Sequence, residues 1–291
     1  QLSFLIVSMP AISSAFFASE PPAWLGAAQA AMRQPARKPR VPLWVNGQAV
    51  GSLVEHFLQE TGIAGRLGGD SLLSKEERAG VAVWLLESPT QDATRLMNRL
   101  ADALRDVGRS GPWRNEQLAV QAVNGRRIGT VERGAVRVLG IATHAVHLVG
   151  VSPDGRLWVQ QRAADKASYP LHWDTLMGGM VSAQDTLEQA LERETWEEAG
   201  LRTAELADMR WGGVLHFRQP GVDGGDDISY MHEDIHWYVA TVPLGKAPQN
   251  QDGEVAQFAP WSADEVQQHL AQGQFTPEAS LVWAGYAGWM K

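Results

Sequence analysis

The sequence contains no cysteine among its 291 residues, and this absence excludes several kinds of site. Disulfide bonds, structural zinc sites built from thiolates and a cysteine nucleophile all need the missing side chain. A chain without cysteine also suits a reducing compartment, so we expect a cytoplasmic protein.

Positive charge is scarce as well, because the sequence has 25 lysines and arginines but 33 aspartates and glutamates, which gives a net charge of −8. Nucleic-acid binding requires a basic surface that neutralises phosphates, so we expect no nucleic-acid partner. A small free nucleotide or cofactor stays compatible with this charge. Apart from residues 2–17, no apolar run approaches the ~18 residues of a membrane span, so we expect no membrane partner.

Residues 2–17 are apolar but lack the basic flank that normally precedes the apolar part of a secretory signal. We expect residues 1–38 to form an irregular tail, with a secretory signal as the alternative. The chain is longer than one ordinary core and 44% apolar, which predicts two domains. Short strands, hairpin turns and one long helix predict an α+β accessory domain at residues 39–138, and we assign residues 139–291 to the second domain.

The most informative segment is residues 179–201, in which several acids and one arginine occupy a turn and a helix. Ser182 followed by Asp185 has the pattern of a capping box, and Gly200 is a typical helix stop. The pattern predicts a helix from about Ala183 to Ala199.

The glutamates of this helix follow its apolar stripe. Leu187 and Leu191 begin the stripe at positions i and i+4, Glu194 and Glu198 continue it at i+7 and i+11, and Glu197 lies on its flank. Glutamate-rich helices more often present a solvated face, but other polar residues already take the outward positions. These outward residues are Glu188, Gln189 and Glu192.

Carboxylates crowded in this way need a compensating cation, because like charges and burial both disfavour ionisation. Arg193 supplies one positive charge, and a divalent ion would supply the rest. Oxygen ligands without cysteine or histidine close by favour Mg²⁺, with Mn²⁺ as the alternative. We therefore expect metal-dependent phosphate chemistry.

The spacing of this segment resembles the signature of the Nudix hydrolases: glycine, five residues, an acid, seven residues and then Arg-Glu-x-x-Glu-Glu-x-Gly. Asp185 stands where the family usually has glutamate, and Thr195 where it usually has an aliphatic residue. Other segments resemble a subgroup that carries an extra N-terminal domain and is related to the Nudix parts of thiamine pyrophosphokinase fusion proteins. These segments are residues 113–116, 132–135, 162–179, 250–255 and 275–282, so the similarity covers roughly residues 40 to 290.

The resemblance implies an α/β fold: a Nudix α/β/α sandwich with a mixed sheet, preceded by the smaller α+β domain. It also implies attack of water on a diphosphate linkage with the help of a metal. We expect Glu197, Glu198 and the carbonyl of Gly179 to bind Mg²⁺ or Mn²⁺. Glu194 is then the base or a further ligand, and Arg193 supports it.

Residues outside the helix extend the predicted site. Some family members take the base from a loop, for which Glu254 is the match here, and the alternative is a plain turn residue. Arg162 and Lys166 can pair with phosphates, or they can be surface charges. Tyr169 and Trp173 can stack on a substrate ring, although a core role suits Trp173 equally.

Arg114, in the extra domain, can serve in a lid or in ring recognition, with a purely structural use as the alternative. The histidines at positions 216, 232 and 236 are scattered along predicted strands, and we assign them no role.

Relatives of this two-domain type imply hydrolysis of thiamine diphosphate analogues, especially oxidised or damaged forms, to the monophosphate and phosphate. This would be a housecleaning activity. The alternatives are a pyrophosphatase for nucleoside-diphosphate-linked substrates such as ADP-ribose, and a Nudix ligand sensor without turnover. An isoprenoid diphosphate isomerase shares the fold but needs a catalytic cysteine, which this chain lacks. We expect a small-molecule diphosphate as the partner, and the sequence leaves monomer and homodimer open.

Overall fold

The computed structural model describes residues 17–69 and 72–290, and the predicted apolar segment up to residue 16 lies outside them. Within the described part, the tail predicted for residues 1–38 is not irregular, because it contains helix α1 (Leu25–Ala31). Leu25 and Met32 are buried in a core shared with the C-terminal helix. Phe17 packs edge-on against Trp289, with ring centroids 5.5 Å apart. The prediction was wrong here because these apolar side chains find a partner surface at the far end of the chain.

Four strands form the first sheet. They are β1 (Arg40–Val45), β2 (Gln48–Val54), β3 (Leu73–Arg78) and β4 (Val81–Leu86). Their order is β2-β1-β4-β3, with β1 and β4 parallel and the other pairs antiparallel. The sequence Asn46-Gly47 is typical of a tight hairpin turn, and the structure has this turn between β1 and β2, with φ of 44° and 75° at these residues, because this hairpin turn requires positive values at both.

Three helices and a two-stranded ribbon complete this first unit. They are α2 (Phe57–Glu60), α3 (Ile63–Gly69), α4 (Ala93–Asp106), β5 (Gln117–Gln121) and β6 (Arg127–Glu132). Asp92 caps α4 by accepting a hydrogen bond from the amide of Arg95. The side-chain amide of Asn98 donates to the carbonyl of Thr130 at 3.1 Å, and its oxygen accepts from the amide of Glu132. The ribbon is thereby fixed to α4.

Seven strands form the second sheet. They are β7 (Ala142–Val151), β8 (Leu157–Arg162), β9 (Trp173–Asp174), β10 (Met177–Met180), β11 (Ala207–Pro220), β12 (Tyr230–Thr241) and β13 (Val255–Trp261). The order is β11-β12-β7-β8-β13, with β10 beside β7 and β9 beside β8. β7 and β12 are parallel and the other pairs are antiparallel, so the sheet is mixed, as predicted.

Helices cover both faces of this second sheet. On one face lies α5 (Leu187–Ala199), whose Leu191 packs in a core with Val146 and Leu148 of β7. The other face is covered by α6 (Ala263–Ala271), α7 (Pro277–Tyr286) and α1. The predicted α/β/α sandwich with a smaller preceding domain is confirmed. Across the described residues, every helix falls short of the length and apolar character that a bilayer span needs.

A short connection at residues 133–141 joins the two units. It begins with a 3₁₀ turn at Arg133–Ala135, and Val138 and Ile141 are buried in the first core. The amide of Ser52 donates to the carbonyl of Leu139 at 2.9 Å. The domain boundary predicted between residues 138 and 139 falls inside this packed connection, and its position stays a prediction.

Candidate active site

Helix α5 begins later than predicted. Its N-cap is Thr186, whose hydroxyl accepts from the amide of Gln189, while the Gln189 side chain accepts from the amide of Thr186 at 2.8 Å. The capping box is therefore Thr186 with Gln189, and the predicted pair of Ser182 and Asp185 was wrong. The predicted end is confirmed, because Gly200 adopts the left-handed conformation with φ of 62°.

Asp185 is not available for capping because it binds Arg193. The Nε of Arg193 donates to Asp185 Oδ2 at 2.8 Å, and Nη1 donates to Glu194 Oε1 at 2.8 Å and to Glu197 Oε2 at 3.0 Å. Nη2 donates to the carbonyl of Met180 at 3.1 Å. Burial would lower the pKa of Arg193, but Glu194 and Asp185 outweigh it and raise the pKa. One guanidinium thus ties the strand before the helix to both glutamates.

Glu194 lies against the backbone of β10. A Cβ atom added to Gly179 would lie 2.0 Å from the Glu194 carboxyl carbon, so this position has room only for glycine while the carboxyl stays in place. The Glu194 side chain is 13% exposed. Burial raises its pKa to about 7, against the opposing charge of Arg193.

Glu198 is the most deeply buried acid of the helix. Its Oε2 accepts from Gln160 Nε2 at 2.8 Å and from the amide of Gly178 at 3.0 Å. Burial and, after it, the charge of Glu194 raise its pKa to about 8. Sequence reasoning missed Gln160, whose partner is thirty-eight residues away in the chain and whose only local signal is a polar side chain on a predicted strand.

Glu197 differs from the other two acids, since its side chain is 43% exposed. Together, Glu194, Glu197 and Glu198 offer carboxylate oxygens on neighbouring positions of one helix, and Gly179 adds a carbonyl. Donors made only of oxygen suit Mg²⁺ or Mn²⁺, and two buried carboxylates with raised pKa values are the groups that a divalent cation would stabilise. As the side chains stand, Arg193 occupies oxygens of two of them, and no three acids or histidines converge to cation-binding distance in the described part.

Glu254 and Lys166 form an ion pair. Burial raises the pKa of Glu254, but Lys166 outweighs this effect and lowers it. The amide of Glu254 donates to Asp252 Oδ1, so the residue also takes part in the turn. The structure thus places Glu254 in a turn and pairs it with Lys166, and the catalytic role of Glu254 and the phosphate contact of Lys166 stay predictions.

Arg162 braces the loop between β8 and β9. Its Nε and Nη2 donate to the carbonyl of Ser168 at 3.1 and 3.0 Å, and its Nη1 lies 3.8 Å from Asp174 Oδ2. Asp174 is buried and also accepts from the hydroxyl of Thr276 at 3.2 Å. Buried His147 lies 3.5 Å from the same carboxylate. These contacts engage the guanidinium in holding the loop, apart from the glutamates of α5.

The two aromatic residues predicted to stack on a ring lie in different surroundings. Trp173 packs against Trp261, with ring centroids 4.2 Å apart, and borders the second core. Tyr169 is 42% exposed and lies beside His172. Tyr169 is also close enough to Glu278 and Arg137 for their charges to affect its pKa, which burial raises. The structure thus brings Tyr169, but not Trp173, to an open polar surface.

A cavity of about 340 Å³ lies between the first unit and the second sheet, where the β8–β9 loop, the β11–β12 loop and the end of β10 line it. Arg114, the predicted substrate residue of the extra domain, lines it together with Arg133, Arg137 and Met180. Sequence reasoning gave no role to Arg133 or Arg137, although Glu132-Arg133 lies in a segment used for the resemblance. A larger cavity of about 470 Å³ elsewhere contains none of the predicted site residues.

The histidines predicted to be scattered come together on one face of the second sheet. His236 Nε2 lies 3.3 Å from Nδ1 of His144, and His216 Nδ1 lies 2.9 Å from Asp234. Burial is the main cause that lowers the pKa of both His232 and His236. Sheet register, which the local pattern does not specify, creates this proximity.

Comparison with known proteins defines the class. The NUDIX domain model matches residues 142–279. SCO1686, an uncharacterized Nudix hydrolase of Streptomyces coelicolor, is 33% identical over 188 residues, which cover 60% of this chain and 90% of that protein. Nudix hydrolase 20, chloroplastic, of Arabidopsis thaliana is 31% identical over 180 residues, which cover 60% of this chain and 46% of that protein. The chain belongs to the Nudix hydrolase family.

The chain spans about half the length of the first curated relatives it matches, with coverage of 54%, 46% and 47%. Among solved structures, DR0079 from Deinococcus radiodurans has a TM-score of 0.46 and 19% identity, over 59% of this chain and 99% of that chain. The subgroup related to thiamine pyrophosphokinase fusions stays a prediction.

Proposed function

We propose that this protein hydrolyses a small organic diphosphate with the help of a divalent metal ion. The observation that carries the proposal is the Arg193 guanidinium, which holds Asp185, Glu194, Glu197 and the Met180 carbonyl around one end of α5. A helix that concentrates acids in this way around a single arginine, partly out of solvent, suits a cation and the phosphates bound to it.

Glu197, Glu198 and the carbonyl of Gly179 would hold the metal, which is Mg²⁺ or Mn²⁺ by ligand chemistry. Hydrolases of this family generally use divalent cations. Such a cation neutralises phosphate charge and makes the phosphorus more open to attack. Gln160 and the amide of Gly178 orient the Glu198 carboxylate by their hydrogen bonds.

Glu194 is our preferred base, with Glu254 as the alternative. The Glu254 carboxylate is neutralised by Lys166, which makes it a poorer proton acceptor. Glu194 lies against Gly179 and next to Arg193, which can stabilise the carboxylate again once the proton has moved on. Arg193 therefore acts by holding this acid in place.

As the substrate we propose a thiamine diphosphate analogue in an oxidised or damaged form, cleaved to the monophosphate and phosphate. Besides the sequence resemblance, a group of acids near Tyr169 supports it. Glu233 is buried with a hydrogen bond from Thr143, and Glu278 is close enough to Glu233 for their charges to interact. Carboxylates accept hydrogen bonds from amino groups on a ring, and the aminopyrimidine ring of thiamine carries such an amino group.

Phosphate release from a panel of diphosphates tests both levels of the proposal. The panel contains thiamine diphosphate, oxo-thiamine diphosphate, ADP-ribose and nucleoside diphosphates, each with Mg²⁺, with Mn²⁺ and with EDTA. We expect metal-dependent turnover that is fastest for the oxidised thiamine compound and lost in Glu198→Gln. Fastest turnover of ADP-ribose would replace the substrate, and tight binding without turnover of any compound would indicate a ligand sensor. Cytoplasmic location and oligomeric state stay predictions.

A further inference from the structure

We propose that the N-terminal unit completes the active site: Arg114, Arg133 and Arg137 form a subsite that binds the phosphate groups of the substrate in the cavity that Met180, at the end of β10, also lines. The inference rests on the proposed function in identifying the anion as the diphosphate of the substrate. It assigns a binding role to a part of the chain that precedes the matched family domain at residues 142–279.

The cavity has the composition of an anion site. Its lining contains three arginines and one acid, Asp223, and the remaining lining residues are uncharged. Asp223 Oδ2 lies 3.8 Å from Arg137, too far for a close hydrogen-bonded pair. A phosphate or diphosphate group would offset the excess positive charge, and guanidinium groups bind such oxygens through paired N–H donors.

The two loops that carry Arg114 and Arg133 are fixed by one buried acid. Glu132 Oε1 accepts from the amide of Arg114 at 2.8 Å and from the amide of Gly134 at 3.3 Å. The carbonyl of Gly134 accepts from the amide of Gly111 at 2.8 Å. A Cβ atom at Gly134 would lie 2.9 Å from the carbonyl oxygen of Pro112, so the backbones are in close contact. The arginines are therefore presented from a rigid frame, as a binding site requires.

The guanidinium groups have donors left for a ligand. Arg133 Nη1 donates to Glu116 Oε2 at 2.7 Å, and the Arg133 side chain is still 36% exposed. Within residues 17–69 and 72–290, no carboxylate lies within ion-pair distance of the exposed Arg114 guanidinium. Arg114 and Arg133 can thus turn N–H groups toward the cavity without losing a buried partner, whereas Arg137 also interacts with the charges of Glu233, Asp223 and Glu278.

The subsite lies next to the acids of α5. Met180 lines the cavity, and its carbonyl accepts from Arg193. Arg133 lies close enough to Glu194 and to Glu254 for its positive charge to interact with both carboxylates. Ser168, at the other side of the cavity, accepts through its carbonyl from Arg162. A diphosphate in the cavity would therefore lie beside Met180, whose carbonyl binds the same arginine, Arg193, that holds Glu194 and Glu197.

The test measures binding of inorganic diphosphate to the full chain by titration calorimetry in EDTA, which separates the arginines from metal and catalysis. Arg114→Gln and Arg133→Gln should each weaken binding on the order of 10- to 100-fold, the usual effect of losing a charge-assisted contact. Arg126→Gln, which changes an exposed arginine in the β5–β6 turn, is the matched control and should bind like the unmodified chain.

Glu116→Gln distinguishes a binding role of Arg133 from a purely structural one. If Arg133 matters only through its ion pair with Glu116, this variant should lose diphosphate binding, as Arg133→Gln does. If Arg133 binds the anion, the affinity for diphosphate should stay the same or increase. Unchanged affinity in both arginine variants, or no binding of diphosphate by the unmodified chain, would overturn the inference. With the preferred substrate and metal, the arginine variants should raise KM more than they lower kcat. Turnover with unaltered KM in these variants would refute the subsite and leave the proposed hydrolase activity intact. Binding that depends on the arginines, without turnover of any compound, would support the subsite and refute the hydrolase activity.

Discussion

Replacing Gly179 with alanine should disturb the candidate site through a single contact. The added Cβ would lie 2.0 Å from the carboxyl carbon of Glu194 and 2.4 Å from its Oε1. Relief to ordinary van der Waals contact requires the carboxyl to move by about 1.4 Å. The hydrogen bond from Arg193 Nη1 to Glu194 Oε1, now 2.8 Å, would not survive such a shift. The backbone at Gly179 has no positive φ, so no other strain is expected there.

The expected cost follows from that lost hydrogen bond. A charge-assisted hydrogen bond contributes about 1.5–3 kcal/mol, so Gly179→Ala should lower the free energy of unfolding by this amount in urea denaturation. Displacing a general base typically lowers kcat by on the order of 100- to 10,000-fold. Gly26→Ala is the control, because Gly26 lies within a helix with no atom within 4 Å of the added carbon, and it should be neutral or slightly stabilising.

A double-mutant cycle identifies the responsible contact. In the Glu194→Ala background the added methyl group meets no carboxyl, so Gly179→Ala should cost less than about 0.5 kcal/mol there. The assay is urea unfolding of the four proteins in EDTA, followed by tryptophan fluorescence. If Gly179→Ala costs the same with and without Glu194, the proposed contact is not the cause and the reasoning fails.

Three further predictions concern the same region. Thr195 is fully buried, and among the described residues its hydroxyl has no hydrogen-bond partner, so Thr195→Val should raise the free energy of unfolding by about 1 kcal/mol. Thr203→Val removes a hydroxyl bound to Glu192 and should lower the free energy of unfolding, and equal effects of the two variants in urea denaturation would contradict this. Gln160→Leu removes one of the two hydrogen-bond donors to Glu198 and should reduce the rate of phosphate release about 10- to 100-fold. Gln257→Leu, which changes an exposed glutamine, should leave this rate unchanged, and full activity of Gln160→Leu would show that Glu198 does not need this hydrogen bond. Burial, followed by the charges of Glu233 and Asp174, raises the pKa of Glu278 from 4.5 to about 7, so the folded chain keeps a proton that the unfolded chain loses. The free energy of unfolding should therefore fall as pH rises from about 4.5 to about 7, by at most about 3 kcal/mol because the side chain is partly exposed. Glu278→Gln should remove this decline, and an identical pH profile in the variant would count against the prediction.

Sequence periodicity predicted the acidic helix and its end, but not its beginning. Ser182 with Asp185 and Thr186 with Gln189 both have the spacing of a capping box, and local pattern alone does not choose between them. The choice depends on Arg193, eight residues after Asp185, which takes the aspartate carboxylate and leaves Thr186 to cap. This contact also explains how an aspartate serves where the family usually has the longer glutamate.

The candidate site was predictable where one helix supplies it and unpredictable where several segments meet. Glu194 and Glu198 follow from helical spacing. Gln160 approaches Glu198 from strand β8, and Arg137 comes close enough to Glu233 for their charges to interact only once the two units have come together, so neither residue has a local signature. Trp173 shows the same limit, since the ring that covers it belongs to Trp261 far along the sequence.

The ribbon of β5 and β6 belongs to neither large sheet, yet the carbonyl of Gln117 accepts from the amide of Ala183 at 2.8 Å, just before α5 begins. The approach to the acidic helix is thus supported from outside the sandwich that contains it. Moving residues 142–279 alone into another protein would remove the hydrogen bond from Ala183 to Gln117 that holds the start of this segment, whereas a graft that keeps the ribbon would preserve it. Designers who shorten this chain should therefore cut before the ribbon.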